Sequence, residues 1–546
     1  MASQVSPGVV VNEFDFSDYA ERISTAICGL AGWANKGPLH KVTLITNERQ
    51  LLDTFGFPPA PVDASDIDVS ALRSEGLVMP AIHYLREGNQ LQVVRISDGS
   101  VASPTAVAAI TTFDNASASL ALTLTATSPG TWPNASTLGA SSKGRDVDFK
   151  ITAGTKGANH FKLTIREKGV VREVFDNLNN IRTGGNSDPD NFPEVRINGF
   201  SDYVTAVGHA SNGNPATLTA PVASGGGSGG QLGVDGRPNG PEDFYDSTDP
   251  DKALRLFEDP DTIDINLLCA PGVNSEVSDP ALGVVRGMIS IAEGRGDCIV
   301  LVDPKHDIVT VALAREFING GGGTYTGSSI NSSYAAYYWP WIEVFDGHSG
   351  KQVFVPPSGI VSGIMARNDR VAEPWYAAAG FNRGIIRNAV RVAKNTTLGE
   401  REQLYAAGEC VNPIVNFAGL GITIWGQKTT QRKATALNRV NVRRMLNYAK
   451  KIIATSVKFL VFEPNDRRTW RRFVNIVTPP LESIKTRRGL IDFKVICDET
   501  TNTPLQIDRS EMRGVILMKP TKAAEVITVD FTLLSTGASF NEFLEE

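Results

Sequence analysis

The sequence is poor in the residues that build most metal, redox and hydrolytic centres. It has five cysteines in 546 residues, an odd number with no C-x-x-C pair. Cys28, Cys269, Cys298, Cys410 and Cys497 each lie in an apolar stretch, so buried free thiols in a reducing compartment are expected. There are six histidines, none in an H-E-x-x-H string and no two within four residues of each other, which argues against zinc. The phosphate-cradling string G-x-x-x-x-G-K-[ST] does not occur, and no G-x-G-x-x-G follows the early strands. The string G-x-S-x-G occurs only inside the glycine run at 226–230, away from any strand–helix turn, so a nucleophile elbow is not expected. No apolar run reaches 18 residues, so a membrane-spanning helix is not expected. The first residues lack a basic stretch followed by an apolar one, so no secretory signal is expected.

What is present suits a large soluble assembly of domains. The length fits roughly three or four domains at about 150 residues each. Apolar residues make up 41%, enough for sizeable cores, and 51 glycines point to many turns. The net charge of −6 is unevenly spread. Between Lys428 and Lys519 there are 20 Lys and Arg against 8 Asp and Glu, a local +12, which leaves −18 for the rest. A basic C-terminal region on an acidic body points to a charged partner.

Composition and periodicity divide the chain. Residues 1–20 read as an extended arm: Val9, Val10 and Val11 form a β-branched run after Pro7-Gly8, with no local partner strand. Residues 21–97 alternate strands ("STAICGLAGWA", "KVTLITN", "LQVVRIS") with helices ("ERQLLDTFG", "LVMPAIHYLREGN"). Residues 98–245 are rich in Ser, Thr, Ala, Gly and Asn. Their short alternating runs predict an inserted, mainly β outer domain, with "SGGGSGG" at 224–230 as a flexible segment. The α/β pattern resumes over 246–395, implying a partly parallel sheet. Residues 396–530 form a C-terminal domain with two amphipathic helices and three candidate strands, and 531–546 a second arm. In "AEVITVDFTLLST", Val526, Ile527, Val529 and Phe531 again lack a local partner. Unpaired terminal strands offer open backbone groups to another chain. The fold class expected is a multidomain α+β or α/β protein.

Three features could carry chemistry or contact. Asp297 and Asp303 flank the strand "CIVLV", where a carboxylate could be catalytic; a turn or helix cap is the commoner use. In "RRTWRRF" Trp470 and Phe473 fall on the core face of a helix, so protein contact is favoured over base stacking. In "LNRVNVRRMLNYAKKIIA" the apolar Val442, Met445, Leu446, Ala449, Ile452 and Ile453 follow helical spacing. Arg439, Arg443 and Lys450 lie near the opposite face, a candidate docking stripe.

The C-terminal third resembles the contractile tail sheath family of phages. The resemblance rests on long strings in order: "EPWYAAAGFNRG", "RVAKNTTLGEREQLY", "GITIWGQKT", "LNRVNVRRMLNYAKK", "FEPNDRRTW", "RRGLIDFKVICDETTNTPLQIDRSE" and "TGASFNEF". With "SPGVVVNEFD" near the start they cover about 40% of the chain; 98–245 matches nothing comparable. The resemblance implies a structural subunit, not an enzyme, working without cofactor or metal. It would polymerise as stacked hexameric rings around a tail tube and shorten to drive the tube through a host envelope. Its core would be assembled from both chain ends, with the C-terminal domain innermost. Arms carrying Val9–Val11 and Val526, Ile527, Val529 and Phe531 would add strands to neighbours, and Arg439, Arg443 and Lys450 would face the tube or a neighbour. Implied partners are copies of itself, the tube protein, and baseplate and terminator proteins, with no direct nucleic acid and no membrane insertion. The implied location is the virion tail, after assembly in the host cytoplasm. The alternatives are the sheath of a related bacteriocin or secretion machine, or an α/β hydrolase.

Overall fold

The computed structural model describes residues 25–58, 62–63, 72–73, 76–100, 103–104, 106–134, 146–183, 185–209, 213–238, 240–276, 282–320, 329–406, 408–525 and 528. The chain opens with β1 (Cys28–Gly32), β2 (Val42–Ile45), α1 (Glu48–Phe55), α2 (Val78–Leu85) and β3 (Leu91–Arg95). Asn47 caps α1 by accepting from the Gln50 amide, and Gly56 ends it with φ of 82°. Seven strands follow: β4 (Ile110–Asp114), β5 (Leu120–Ala126), β6 (Val147–Ala153), β7 (Phe161–Glu167), β8 (Val170–Leu178), β9 (Val204–Gly208) and β10 (Val222–Ala223). The α/β pattern then returns with β11 (Leu267–Cys269), α3 (Gly283–Arg295), β12 (Ile299–Val302), α4 (Val311–Asn319), β13 (Ala335–Trp339), β14 (Ile342–Asp346), β15 (Lys351–Val355) and α5 (Pro357–Val371). The last elements are α6 (Leu398–Leu404), β16 (Val411–Phe417), β17 (Gly421–Ile424), α7 (Val440–Val457), α8 (Arg467–Thr486), β18 (Leu490–Ile496) and β19 (Val515–Pro520).

Eight strands form the central sheet in the order β2-β3-β1-β11-β12-β13-β16-β17. The six inner strands are parallel, and an antiparallel strand closes each end. Parallel strands need both faces covered, which is why "IVLV" of β12 is buried at every position. One face packs on α3 and α4 through Val285, Met288, Phe317 and Ile318. The other packs on α1, α2, α5 and the antiparallel β14–β15 pair through Phe55, Ile82, Val361 and Val353. β16 pairs in parallel with β13, Val411 opposite Tyr337, so the α/β unit runs to Ile424 rather than ending at 395. The apolar run "VNPIVNF" is a buried sheet strand, not the start of the C-terminal domain.

The seven strands β4–β10 form two sheets, β8-β7-β6-β10 and β9-β5-β4, around one core that includes Phe113, Trp132, Phe149 and Ile165. The glycine-rich stretch 224–230 is not a flexible linker: it lies along β4. Gly225 and Gly229 donate to the hydroxyls of Thr111 and Thr112 at 3.0 Å, and Thr112 donates to the Gly226 carbonyl at 3.1 Å. Gly227 has φ of 98°, and a Cβ there would lie 2.1 Å from the Thr112 carbonyl oxygen. Glycine is required for this approach.

In the C-terminal unit α7, α8 and the β18–β19 hairpin share a core of Met445, Ala449, Trp470, Phe473, Val477 and Leu481. Asp466 caps α8 by accepting from Thr469 at 2.9 Å, and the helix continues through Pro479 and Pro480. The opposite side of α7 is not solvated: Asn447 donates to the Cys298 carbonyl at 2.9 Å and Asn441 to the Trp375 carbonyl at 3.1 Å. The helix is sandwiched between its own domain and the α/β unit.

Candidate assembly surface

β18 and β19 pair antiparallel, with Phe493 opposite Met518 and Val495 opposite Ile516. Their inner face, Leu490, Phe493, Val495, Ile516 and Met518, joins the core under α8. On the outer face Ile491 and Leu517 are 63% and 53% exposed. Among the described residues neither strand has a second partner, so the sheet has two open edges. Two strands alone are marginal, and an open edge is a template for a further strand.

Beside β19 runs an open groove of about 640 Å3 between that strand and α7. Leu446, Ile453, Ala454, Val457, Ile516 and Met518 line it, with Lys450 and Lys458 also on the α7 side. The turn leaving α7 exposes Phe459 and Phe462, and Phe462 holds a left-handed backbone with φ of 71°.

Two chain segments are tied down near the start of α7. Arg444 grips Asp369 of α5 through two bonds of 2.9 and 2.6 Å, with side chains 5% and 3% exposed. The same guanidinium donates to the Thr25 carbonyl at 3.3 Å. Burial raises the Asp369 carboxyl's pKa, and Arg444 opposes the shift. At the other end of the sequence Arg439 holds Glu525 through two bonds of 2.7 Å. Tyr405 and Gln427 also donate to that carboxylate, at 3.2 and 3.3 Å. Burial, with the Glu525 charge second, pushes the Tyr405 hydroxyl well above its ordinary range.

The structure separates the three basic residues read as one docking stripe. Arg439 is spent on Glu525. Arg443 is buried, 4% exposed, with its guanidinium 4.0 Å from the centre of the Tyr334 ring and a bond to the Ser333 hydroxyl. Only Lys450 is exposed, donating to the Tyr334 hydroxyl at 3.2 Å. The three do not form one exposed stripe, because the polar side of α7 around Arg443 meets the carbonyl and tyrosine groups at the edge of the α/β unit, whereas Lys450 is exposed. Val9, Val10, Val11, Val526, Ile527, Val529 and Phe531 lie outside the described residues. Arg444, Asp369, Tyr405, Gln427 and Glu525 were missed by sequence reasoning. The adjacent pair Arg443-Arg444 was the available signal, since neighbours 100° apart on a helix point in different directions and Arg444 does not lie on the line of Arg443 and Lys450.

The other candidates are used in packing. Asp297 pairs with Arg295, which is itself bonded to the Phe257 and Ile263 carbonyls at 2.7 and 2.9 Å. Asp303 is buried under the first turn of α5, accepting from the Ser358 amide and hydroxyl at 2.7 and 2.6 Å and from the Gly272 amide at 3.3 Å. Burial pushes its pKa up to about 7 against those donors. Trp470 and Phe473 are core residues, whereas Arg468 and Arg471 of the same string are exposed. Among the described residues no cluster of His, Cys, Asp and Glu could hold a metal ion, and no helix is long and apolar enough to cross a membrane.

Two family descriptions match the chain: "Phage tail sheath protein central domain" over 251–430 and "Phage tail sheath C-terminal domain" over 432–533. The tail sheath protein of Vibrio phage KVP40 is 31% identical over 411 residues, 72% of this chain and 58% of that protein. The tail sheath protein of Enterobacteria phage T4 is 32% identical over 299 residues, 53% of this chain and 45% of that protein. The chain therefore spans about half the length of these relatives. The crystal structure of a sheath tail protein from Desulfitobacterium hafniense has the same fold, with a TM-score of 0.54 at 13% identity over 94% of this chain and 100% of that one. One from Listeria innocua gives 0.54 at 11% over 91% and 95%.

Proposed function

The chain belongs to the contractile phage tail sheath family, and from that premise we propose that it polymerises as stacked hexameric rings around a tail tube and shortens to drive the tube through the host envelope. The observation that carries this reading is the open-edged β18–β19 sheet beside an apolar groove. That surface is built to receive strands rather than to finish a fold. The arms supply them: Val9–Val11 at one end and Val526, Ile527, Val529 and Phe531 at the other, each entering a neighbouring copy. Both arms carry acidic residues (Glu13, Asp15 and Asp18; Glu542, Glu545 and Glu546), which suit a groove bordered by Lys450 and Lys458. Each backbone bond formed contributes about 0.5–1.5 kcal/mol net. Several per strand, repeated around a ring, hold a lattice together while its subunits move.

No cofactor enters this function, because the work is stored in subunit contacts. The partners are other copies, the tube, and the baseplate and terminator proteins that bound the polymer, with assembly in the host cytoplasm. A tube contact through basic residues is left to Lys450 and to the exposed Arg468 and Arg471 of α8. Negative-stain electron microscopy of the purified chain, with and without tubes, tests the reading. Tubular polymers with a ring repeat are expected. Dispersed particles under every condition would overturn it.

A further inference from the structure

We propose that the N-terminal turns of α7 are a common anchor for both arms, with Arg444 fixing where the N-terminal arm departs and Arg439 where the C-terminal arm departs. This rests on the strand-exchange reading above. The two arginines are five residues apart, Arg439 at the N-cap of α7 and Arg444 in its second turn. Arg444 reaches the Thr25 carbonyl while locked to Asp369, so the chain around residue 25 is held by a buried ion pair. After β19 the chain is exposed from Lys522 to Glu525, and Thr521 makes one backbone bond, to Gly489 at 3.2 Å. Left there, the C-terminal arm would swing from Pro520. Instead the Glu525 carboxylate collects Arg439, Tyr405 and Gln427, which moves the departure point five residues along and onto the α/β unit.

The consequence is geometric. The local concentration of a tethered strand at its acceptor falls steeply as the free tether lengthens or loses its direction. Pinning the base of each arm shortens the tether and aims it without touching the acceptor edge. Because both bases hang from one helix, tension on either arm loads α7. That helix is joined to α5 through Asp369 and to the sheet through the Cys298 carbonyl. Arg439 and Arg444 are positioning residues: they act on assembly through the arms.

The test compares Arg439→Glu, Glu525→Arg and the double swap in the full chain. Each single change should raise the protein concentration needed for polymers roughly three- to tenfold, as expected for a lengthened tether. The swap should return to within about twofold of the parent. Monomer melting should be unchanged throughout, and hydrogen exchange over 521–525 should quicken in the single variants alone. Parent-like assembly by both single variants, or no recovery in the swap, overturns the C-terminal anchor. For the N-terminal side, Arg444→Lys keeps the charge and loses the planar fork. Slower assembly with faster exchange at residues 25–27 is expected, and parent-like behaviour overturns that half. If this variant melts early, Thr25→Gly, which leaves the ion pair in place but drops the Thr25 side-chain bond to Asp369 and loosens the backbone around the carbonyl, is measured instead, with the same two outcomes. Truncation after residue 528 tells the readings apart. If it blocks polymers while the Arg439 and Glu525 variants assemble normally, the anchor fails and strand exchange stands. If it leaves polymers intact, both fail.

Discussion

Arg95, fully buried at the end of β3, donates to the Asp235 carbonyl at 3.2 Å, so the last strand of the sheet's first half is bonded directly to the chain leaving the β4–β10 region. The same guanidinium donates to the carbonyls of Gly37 and Pro129, both at 2.8 Å. Asp235 in turn accepts from the Thr131 amide at 2.7 Å. This one side chain staples the inserted region to the sheet.

The insertion can be removed only with that staple in mind. The Asp98 amide donates to the Gly236 carbonyl at 2.9 Å, so the entry and exit strands already touch and a short Gly/Ser linker can replace 100–234. The deletion removes Pro129, one of the three carbonyl partners of Arg95, and leaves Gly37 and Asp235. Losing one hydrogen bond of a buried charged group costs about 1.5–3 kcal/mol. The simple deletion should therefore unfold cooperatively but at a lowered midpoint, and adding Arg95→Met should recover most of the loss. Thermal unfolding of the two proteins checks this; non-cooperative melting of both would show that the insertion is part of the core.

Asp303 gives a pH dependence of defined sign. Its folded pKa, pushed up to about 7, lies above the unfolded carboxylate value of about 3.9. The native state therefore holds a proton that the unfolded chain releases. The associated stability is complete below the unfolded pKa and is lost as pH rises through about 7, at roughly 1.4 kcal/mol per unit in between. Other carboxylates, such as Asp188, held well below the usual carboxylate range by the Lys156 bond and its neighbours, contribute the opposite slope at lower pH. The clean measurement is the parent minus Asp303→Asn. Their difference in unfolding free energy should fall between pH 5 and 7 and flatten above 8. A difference independent of pH would mean that Asp303 stays ionised throughout.

Charge reversal on α7 should separate two residues that the helical repeat placed together. Arg443→Glu puts a carboxylate against the Tyr334 ring with the Ser333 bond lost, and should cost the monomer on the order of 3 kcal/mol. Lys450→Glu alters an exposed side chain and should leave monomer melting unchanged while weakening assembly at low salt. Equal melting of the two variants would contradict the burial of Arg443.

Most of the elements were legible because their signals are local. The helices at "ERQLLDTFG" and "LVMPAIHYLREGN", the strands at "KVTLITN" and "LQVVRIS" and the core spacing of Trp470 and Phe473 each depend on a few neighbouring residues. What escaped depends on tertiary surroundings. α5 is buried along most of its length and mixes Ser, Gly and Ile, so it has no polar face to set a period. The glycine-rich 224–230 resembled a linker because sequence shows small residues but not the strand they lie against. On α7 the repeat correctly separated apolar from polar positions. It cannot show that part of the polar side meets the α/β unit as well, so Arg443 reads as part of a docking stripe and Glu525, 86 positions from Arg439, is not paired with it.

The groove and the arms can be tested against each other. Ala454 lies on the exposed side of α7 and lines the groove, and its methyl supports little of the monomer's core. Ala454→Arg places a long cation where an incoming strand would lie. Surface changes of this kind leave stability nearly unaltered, so the variant should melt with the parent and fail to polymerise. Deleting residues 1–16, or truncating after residue 528, removes donor residues (Val9–Val11, or Val529 and Phe531) and leaves the acceptor intact. Those proteins should also fold as monomers without forming sheaths, by far-UV circular dichroism and negative-stain microscopy. Mixing then discriminates. An Ala454→Arg subunit still owns both arms, so it should cap growing polymers of the parent chain and shorten them. A subunit lacking both segments can offer its acceptor but no donor, and should shorten them less if each open sheet must receive strands before its own arms are engaged. Long polymers from Ala454→Arg alone would remove the groove from the mechanism. Long polymers from the truncated chains would remove the arms, leaving the exposed face of Ile491 and Leu517 as the remaining contact to examine.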